Sequence, residues 1–274
     1  MGEETSTLDW LALREPVDHR SRAADLVAPL AEWWGSRPSQ RVLDLGSGTG
    51  SNLRYLAPRL PGGQEWTLVD RDAAALDRAR GMAVGVVGVA RVEHVLGELD
   101  REGLELVAGA DLVTASALLD LVTQEWLEWL AATCRAAGNA VLLTLTWDGT
   151  MTWGGDPDPD DALVAEALRS HQLRDKGMGP ALGPAAGLAA ERAFRSAGYD
   201  TWLRPSPWRL GADDASLARA LIDGCVAAAA EQRPADASLI RGWAERRHAT
   251  ANTRFGLEVG HTDLLVLPAR PGAP

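Results

Sequence analysis

The segment VLDLGSGTG at residues 42–50 constrains the fold of this chain more than any other. Val42, Leu43 and Leu45 form an apolar run, and glycine then occupies positions 46, 48 and 50. That pattern predicts a buried strand, Arg41–Leu45, running into a loop that opens a helix at Ser51–Leu60. Without Cβ atoms, backbone N–H groups and the helix N-terminus can approach a ligand closely. The dinucleotide fingerprint spaces its glycines G-x-G-x-x-G, whereas these follow G-x-G-x-G. Asp44 also lies two residues before the first glycine. A carboxylate there would repel a pyrophosphate and suits a cationic amine.

The rest of the chain alternates in the same rhythm. Strands are expected at Trp66–Asp70, Arg91–Leu96, Asp111–Ser116 and Gly138–Trp147, with helices at Ala73–Arg80, near Glu102–Val107 and at Gln124–Ala137. Apolar runs separated by helical spacing mean βαβ units and a parallel sheet covered on both faces. Residues 8–34 carry apolar positions at three- and four-residue spacing, a helical face. After Trp147 the rhythm breaks. A loop-rich insert at 148–180 is expected, with a short helix around Asp161–Ser170. A helix at Gly187–Ala197, a strand at Thr201–Arg204, amphipathic helices at about Asp213–Glu231 and Ala235–Ala249, and a last strand near Leu257–Leu267 follow. The expected organisation is an N-terminal helical segment over the pocket (1–39), a cofactor-binding core (40–147), a substrate-side insert (148–180), and a C-terminal part of the sheet (181–274) holding the helix pair at 213–249. The pair suits either a lid or a homodimer interface.

VLDLGSGTG, followed 20 residues after Gly50 by a strand ending at Asp70, resembles the first two motifs of class I S-adenosylmethionine-dependent methyltransferases. WLALREPVDHRSR with DLGSGTGSNLRYLAPRLPG further resembles a bacterial, actinobacterial-type group of that family without an assigned substrate. The resemblance implies a Rossmann-like seven-stranded α/β sheet with helices on both faces, helical cap insertions, and a last strand antiparallel beside the fifth. It implies S-adenosyl-L-methionine as cofactor. Gly46, Ser47 and Gly48 would wrap its methionine part and ribose edge, with Asp44 near the methionine amino group. Asp70 would accept both ribose hydroxyls, its bland reading being a helix N-cap. Arg71 would lie beside the adenine, Glu98 (rival Asp100) would read the adenine amino group with Leu99 adjacent, and Ser116 with Ala117 and Leu118 would line the other side. Arg14 is the choice for the methionine carboxylate, with Arg20 and Arg22 as rivals.

Methyl transfer is an in-line displacement in which positioning does much of the work, and a base is needed only if the nucleophile must lose a proton. The acceptor atom is therefore not legible. Residue types capable of acid–base work near the expected insert and fourth strand are His171 and Asp120. Candidate acceptor contacts are His19, Trp147, Arg174 and Lys176, with Trp153 and Met178 as apolar partners. SALLDLV after the fourth strand lacks the Pro-Pro-aromatic pattern of nucleic-acid amine methyltransferases, and no Pro-Cys pair serves cytosine attack.

Charge narrows the acceptor. The chain has 274 residues, a net charge of −11 and no basic stripe, so a nucleic-acid partner is not expected. A small-molecule acceptor methylated at O or N is, with a weak preference for an anionic or heteroaromatic one. No run of 18 apolar residues exists, so no membrane span or membrane partner is expected. MGEETS fits a myristoylation pattern only superficially. The polar, acidic N-terminus and two distant cysteines, Cys134 and Cys225, suit a cytoplasmic protein with reduced thiols. No metal site is expected, and the DPDPDD run at 156–161 reads as a solvated acidic loop. The rival readings are a protein or RNA methyltransferase, a non-catalytic binder of the same cofactor, and an NAD-dependent oxidoreductase.

Overall fold

A computed structural model describes residues 7–99, 103–175, 177, 179–250 and 256–269. Its centre is a sheet in the order β3-β2-β1-β4-β5-β8-β6, with a short β7 pairing β8. The strands are β1 (Arg41–Leu45), β2 (Gln64–Asp70), β3 (Val89–Leu96), β4 (Leu112–Ser116), β5 (Ala140–Trp153), β6 (Tyr199–Pro205), β7 (Trp208–Leu210) and β8 (Leu257–Pro268). The first five run parallel, and β8 lies antiparallel between β5 and β6. The sheet therefore has eight strands where seven were expected. The added β7 is three residues that pair with the start of β8, Trp208 opposite Val259.

Apolar runs on the central strands bury both faces. In β1 Val42 packs to one side and Leu43 to the other; in β5 Leu142 and Leu143 do the same. One face is covered by α5 (Gln124–Ala137) and α7 (Ala186–Ser196), through Trp126, Leu130 and Phe194. The other is covered by α2 (Val27–Gly35), α3 (Ser51–Leu56) and α4 (Ala73–Met82), through Trp34, Leu53 and Leu76. Polar ends are satisfied inside these cores: Trp34 Nε1 donates to Pro61 O at 3.0 Å.

The expected 8–34 helix is two helices. α1 (Thr7–Ser21) and α2 are separated by a short turn at 24–26. The turn is pinned where Ala23 N donates to Asp263 Oδ2 at 3.0 Å.

The boundary expected at Trp147 is absent. Asp148-Gly149 reads as a turn, yet β5 continues to Trp153 and pairs Met151 with Val259 and Trp153 with Leu257. The register shifts between Trp147 and Met151, and Gly149 has φ +85. The dipeptide is thus a bulge within a strand, a site that favours glycine. On this overhang sit α6 (Asp161–Gln172), α8 (Ala215–Gln232) and α9 (Ala237–Thr250), joined by a core of Val164, Ile222, Cys225, Ile240 and Trp243. A second small core joins Val17 of α1, Leu145, Trp208 and Leu217.

The acidic run is not a solvated loop. Arg246 donates to both oxygens of Asp158 at 2.6 and 2.8 Å and to Asp160 at 2.7 Å. Asp161 accepts from Trp243 Nε1 at 2.8 Å and pairs with the buried Arg247. The carboxylates therefore fasten the start of α6 to α9, and Arg246 holds the Asp158 carboxyl below its ordinary range. Among the described residues no group of three His, Cys, Asp or Glu side chains is placed to hold a metal, and no helix is long and apolar enough to cross a membrane.

Candidate active site

Three adjoining cavities open at the carboxyl ends of β1, β2 and β4, the place where open α/β sheets bind ligands. The first, about 340 Å³, is floored by Asp44, Gly46 and Gly48 and roofed by Leu11, Arg14 and Asp18 of α1. The second, about 230 Å³, lies beyond Asp70 and Arg71 against Glu98, Leu99 and Leu118. The third, about 310 Å³, sits under α6 and α8 and is lined by Trp147, Met151, His171 and His261 among others. Ala117 borders all three, and Arg14 borders the first and the third.

The glycine loop is shaped by left-handed backbone. Gly46 and Gly48 have φ of +65 and +52, which L side chains adopt only at a cost. A Cβ at Gly46 would meet Leu118 Cδ1 at 3.3 Å, and one at Gly48 would meet Leu11 Cδ1 at 3.4 Å. The loop is tied to β2: Ser47 N donates to Val69 O at 3.0 Å, and Gly48 N to Asp70 Oδ2 at 2.7 Å.

Asp70 is not the cap of α4. Asp72 is, accepting from Ala74 N at 2.9 Å and Ala75 N at 3.2 Å. The Asp70 oxygens accept one backbone N–H each, from Gly48 and Asp72. A carboxylate oxygen has two acceptor sites, so each can take one further hydroxyl.

Asp44 is fully buried, and its Oδ1 accepts from Asn52 Nδ2 at 3.0 Å. Its Oδ2 is buried with no partner, as is the Ser47 hydroxyl. Burial pushes the Asp44 carboxyl up to about 7, against the opposing pull of Asn52 and Arg22. Asn52 is itself oriented by Arg22 Nη1, which donates to its Oδ1 at 3.0 Å, while its amide also reaches Thr114 Oγ1 at 2.6 Å. An orphaned carboxylate oxygen and an orphaned hydroxyl fit the ammonium end of an amino acid.

The remaining expected residues divide. Arg14 reaches the first cavity, with Nε donating to Asp18 Oδ2 at 2.8 Å and its guanidinium 5.1 Å from the Trp208 ring centre. Its rivals are turned to other work: Arg20 pairs with Asp214 on the surface and Arg22 is buried against Asn52 and Asp263. Arg71, Glu98, Leu99 and Ser116 line the first two cavities. Trp147, Asp120 and His171 line the third, Asp120 accepting from Gln172 Nε2 at 3.1 Å and His171 Nε2 lying 3.2 Å from Glu231.

Two expected acceptor contacts do not border the third cavity. His19 is set against α3, with Nε2 3.0 Å from Ser51 Oγ and its ring 5.3 Å from that of Tyr55; burial lowers its pKa. Arg174 is exposed and pairs with Glu231, so it braces α6 to α8. The support it lent to an anionic acceptor falls away. Lys176, Met178 and Asp100 lie outside the described residues. Sequence reasoning missed Asn52, Asp18, Trp208 and His261. Asn52 had a signal, its place in the helix turn that directly follows the glycine loop; the other three face the site only because α1, β7 and β8 converge there.

Residues 42–138 match the family model of the methyltransferase domain. Residues 42–138 thus carry a methyltransferase domain, and its cofactor is S-adenosylmethionine. No curated protein matches the chain significantly. Similar solved structures include a SAM-dependent methyltransferase of Geobacter sulfurreducens in complex with S-adenosyl-L-homocysteine, 18% identical over 93% of this chain and 98% of that one, with a TM-score of 0.45. Another, from Thiobacillus denitrificans with the same ligand, is 17% identical over 95% and 98%, TM-score 0.45. An O-methyltransferase family protein of Burkholderia thailandensis is 20% identical over 72% of this chain and 54% of that one, TM-score 0.46.

Proposed function

We propose that this enzyme methylates an oxygen or nitrogen of a small molecule seated in the third cavity. One observation carries the reading: a chamber of about 310 Å³ that meets the cofactor cleft at Arg14 and Ala117. That volume suits a small ligand, and a net charge of −11 does not suit a polyanion.

The bound cofactor supplies a sulfonium-borne methyl group. The chain's own residues do the positioning. Asp44 Oδ2 and Ser47 Oγ receive the amino-acid end, Arg14 its carboxylate, and Asp70 the ribose hydroxyls. Leu99 and Leu118 flank the adenine. Trp147 and Met151 hold the acceptor in line and keep water out, a contribution worth up to several kcal/mol of barrier. α8 serves as a wall of the chamber through Leu221, Gly224 and Cys225, which supports a lid role for the helix pair.

Calorimetric titration with S-adenosylhomocysteine tests the cofactor half, with NAD as control. Wild type should bind and Asp70→Ala should bind about tenfold more weakly, the loss of a charge-assisted pair. Binding of NAD in place of S-adenosylhomocysteine would overturn the reading.

A further inference from the structure

The third chamber holds a titratable group that the cofactor cleft does not use. His261 lies on β8, 6% exposed, at the chamber wall. Its Nδ1 is 3.0 Å from Val259 O. A carbonyl only accepts, so Nδ1 carries the proton and, in the neutral ring, Nε2 carries a lone pair. Nε2 makes no hydrogen bond to a described residue. The ring is fixed from two sides. It packs on Trp208 with centroids 5.0 Å apart, and Trp208 is anchored by Nε1 donating to Asp18 Oδ1 at 2.9 Å. The backbone is fixed where Ser206 N donates to His261 O at 2.8 Å. Burial and the nearby Arg14 charge lower the imidazole pKa to about 4, so the ring is neutral at ordinary pH.

The other candidates in the chamber are engaged. His171 faces Glu231, and Asp120 accepts from Gln172. Arg14, the cation that borders the chamber among the described residues, is answered by Asp18. The walls otherwise offer Trp10, Trp147, Trp208, Met151 and Leu168. Such surfaces favour a flat, uncharged ring.

We propose that His261 Nε2 accepts the hydroxyl proton of a neutral aromatic alcohol held in this chamber, which makes the reaction an O-methylation. The inference rests on the methyltransferase reading above and names the acceptor class for the same site. As the acceptor oxygen forms its bond to the methyl carbon, the carbon–sulfur bond breaks and its electron pair returns to sulfur. The oxygen becomes strongly acidic in that motion, and its proton passes to His261 Nε2. A weak base suffices because the transfer accompanies bond formation. The products are an aryl methyl ether, the thioether and an imidazolium, which then loses its proton to water.

The test uses 2-naphthol as probe and naphthalene as its hydroxyl-free control, on the full chain saturated with S-adenosylhomocysteine. Histidine ¹⁵N spectra should show His261 as the Nδ1–H tautomer, with an Nε2 resonance that moves on adding 2-naphthol and not naphthalene. His261→Leu should bind the nucleotide thioether as wild type does, which proves it folded, and bind 2-naphthol about fivefold more weakly, one lost hydrogen bond. His261→Gln, which keeps an acceptor atom, should retain most of the binding yet methylate 2-naphthol at least about a hundredfold more slowly at unchanged KM. An Nε2–H tautomer, an unmoved resonance, equal affinity for both probes, or unimpaired turnover by His261→Gln would each overturn the proposal. Failure of wild type to bind S-adenosylhomocysteine would instead overturn the reading beneath it.

Discussion

Asn52 Nδ2 donates to Asp44 Oδ1 at 3.0 Å, in a region where both side chains are buried. That one amide gives the strand-end carboxylate its hydrogen bond and passes it the influence of Arg22. The cofactor cleft is therefore built from the first turn of α3 as much as from the glycine loop. Asn52→Leu should leave Asp44 with neither oxygen paired and take from Arg22 Nη1 its acceptor, with Asp263 still beside the guanidinium. The expected loss is about 2–3 kcal/mol of folding stability, read by urea denaturation. S-adenosylhomocysteine affinity at pH 7 should fall by about tenfold. A variant as stable and as tightly binding as wild type would show that Asn52 does not hold Asp44.

Asp44 also makes stability depend on pH, with a definite sign. Burial raises its carboxyl from an ordinary 3.8 to about 7. The folded chain thus holds a proton where the unfolded chain has lost it, and stability contributed by that proton is complete below pH 3.8 and gone above about 7. Asp44→Asn never ionises. Its stability relative to wild type should climb from pH 4 to 7 and level off, by a gain on the order of a few kcal/mol. Paired urea titrations at pH 4.5, 6 and 7.5 read this, and a pH-independent difference would refute it. The same variant should bind S-adenosylhomocysteine worse, because the site trades stability for a carboxylate facing the ligand.

Gly48→Ala tests the loop. Its φ of +52 strains any L side chain, and the new Cβ would lie 3.4 Å from Leu11 Cδ1. The strain is about 1–2 kcal/mol, and the shifted N–H would release Asp70 Oδ2. Thermal melting should report the modest destabilisation, and calorimetry a disproportionate loss of cofactor affinity. Equal loss in both would mean that the loop serves stability alone.

The sheet and the cofactor loop were legible because both are local. Apolar runs such as Ala140–Leu145 must be strands covered on both faces, and alternating glycines after Leu45 admit few backbones. Asp70 and Asp44 sit on those strands, so their places follow directly. The third chamber was not legible. Asp148-Gly149 carries the chemistry of a turn but sits in a bulge, because β8 supplies an antiparallel partner no local signal announces. His261 and Trp208 meet Arg14 across more than 190 residues of sequence. His19 and Arg174 were plausible by residue type, yet their partners, Ser51 and Glu231, lie on helices whose packing a single sequence does not fix. The acidic run at 156–161 misled for the same reason: its cations are on α9.

Arg247 closes that last contact, and removing it should loosen the roof of the chamber. Its side chain is 4% exposed, pairs with Asp161, and lies with its guanidinium 4.8 Å from the Trp153 ring centre. Asp161 also takes the Trp243 indole N–H, so the start of α6, the last turn of α9 and the end of β5 meet at one cation. Arg247→Ala leaves the Asp161 carboxylate without its charge partner and empties the space over Trp153. Breaking a buried pair from one side costs about 3–5 kcal/mol; Asp161 is 26% exposed, so about 2–3 kcal/mol is expected. Arg247→Met keeps the volume over Trp153 and should recover about 1 kcal/mol of it. Because α6 and α8 roof the chamber while the cofactor cleft lies under α1, both variants should keep wild-type affinity for S-adenosylhomocysteine. Hydrogen exchange should show faster opening in α6 and α9 with the amides of β1 and β4 unchanged. Exchange that quickened equally across the sheet would mean that the cap and the core unfold as one unit.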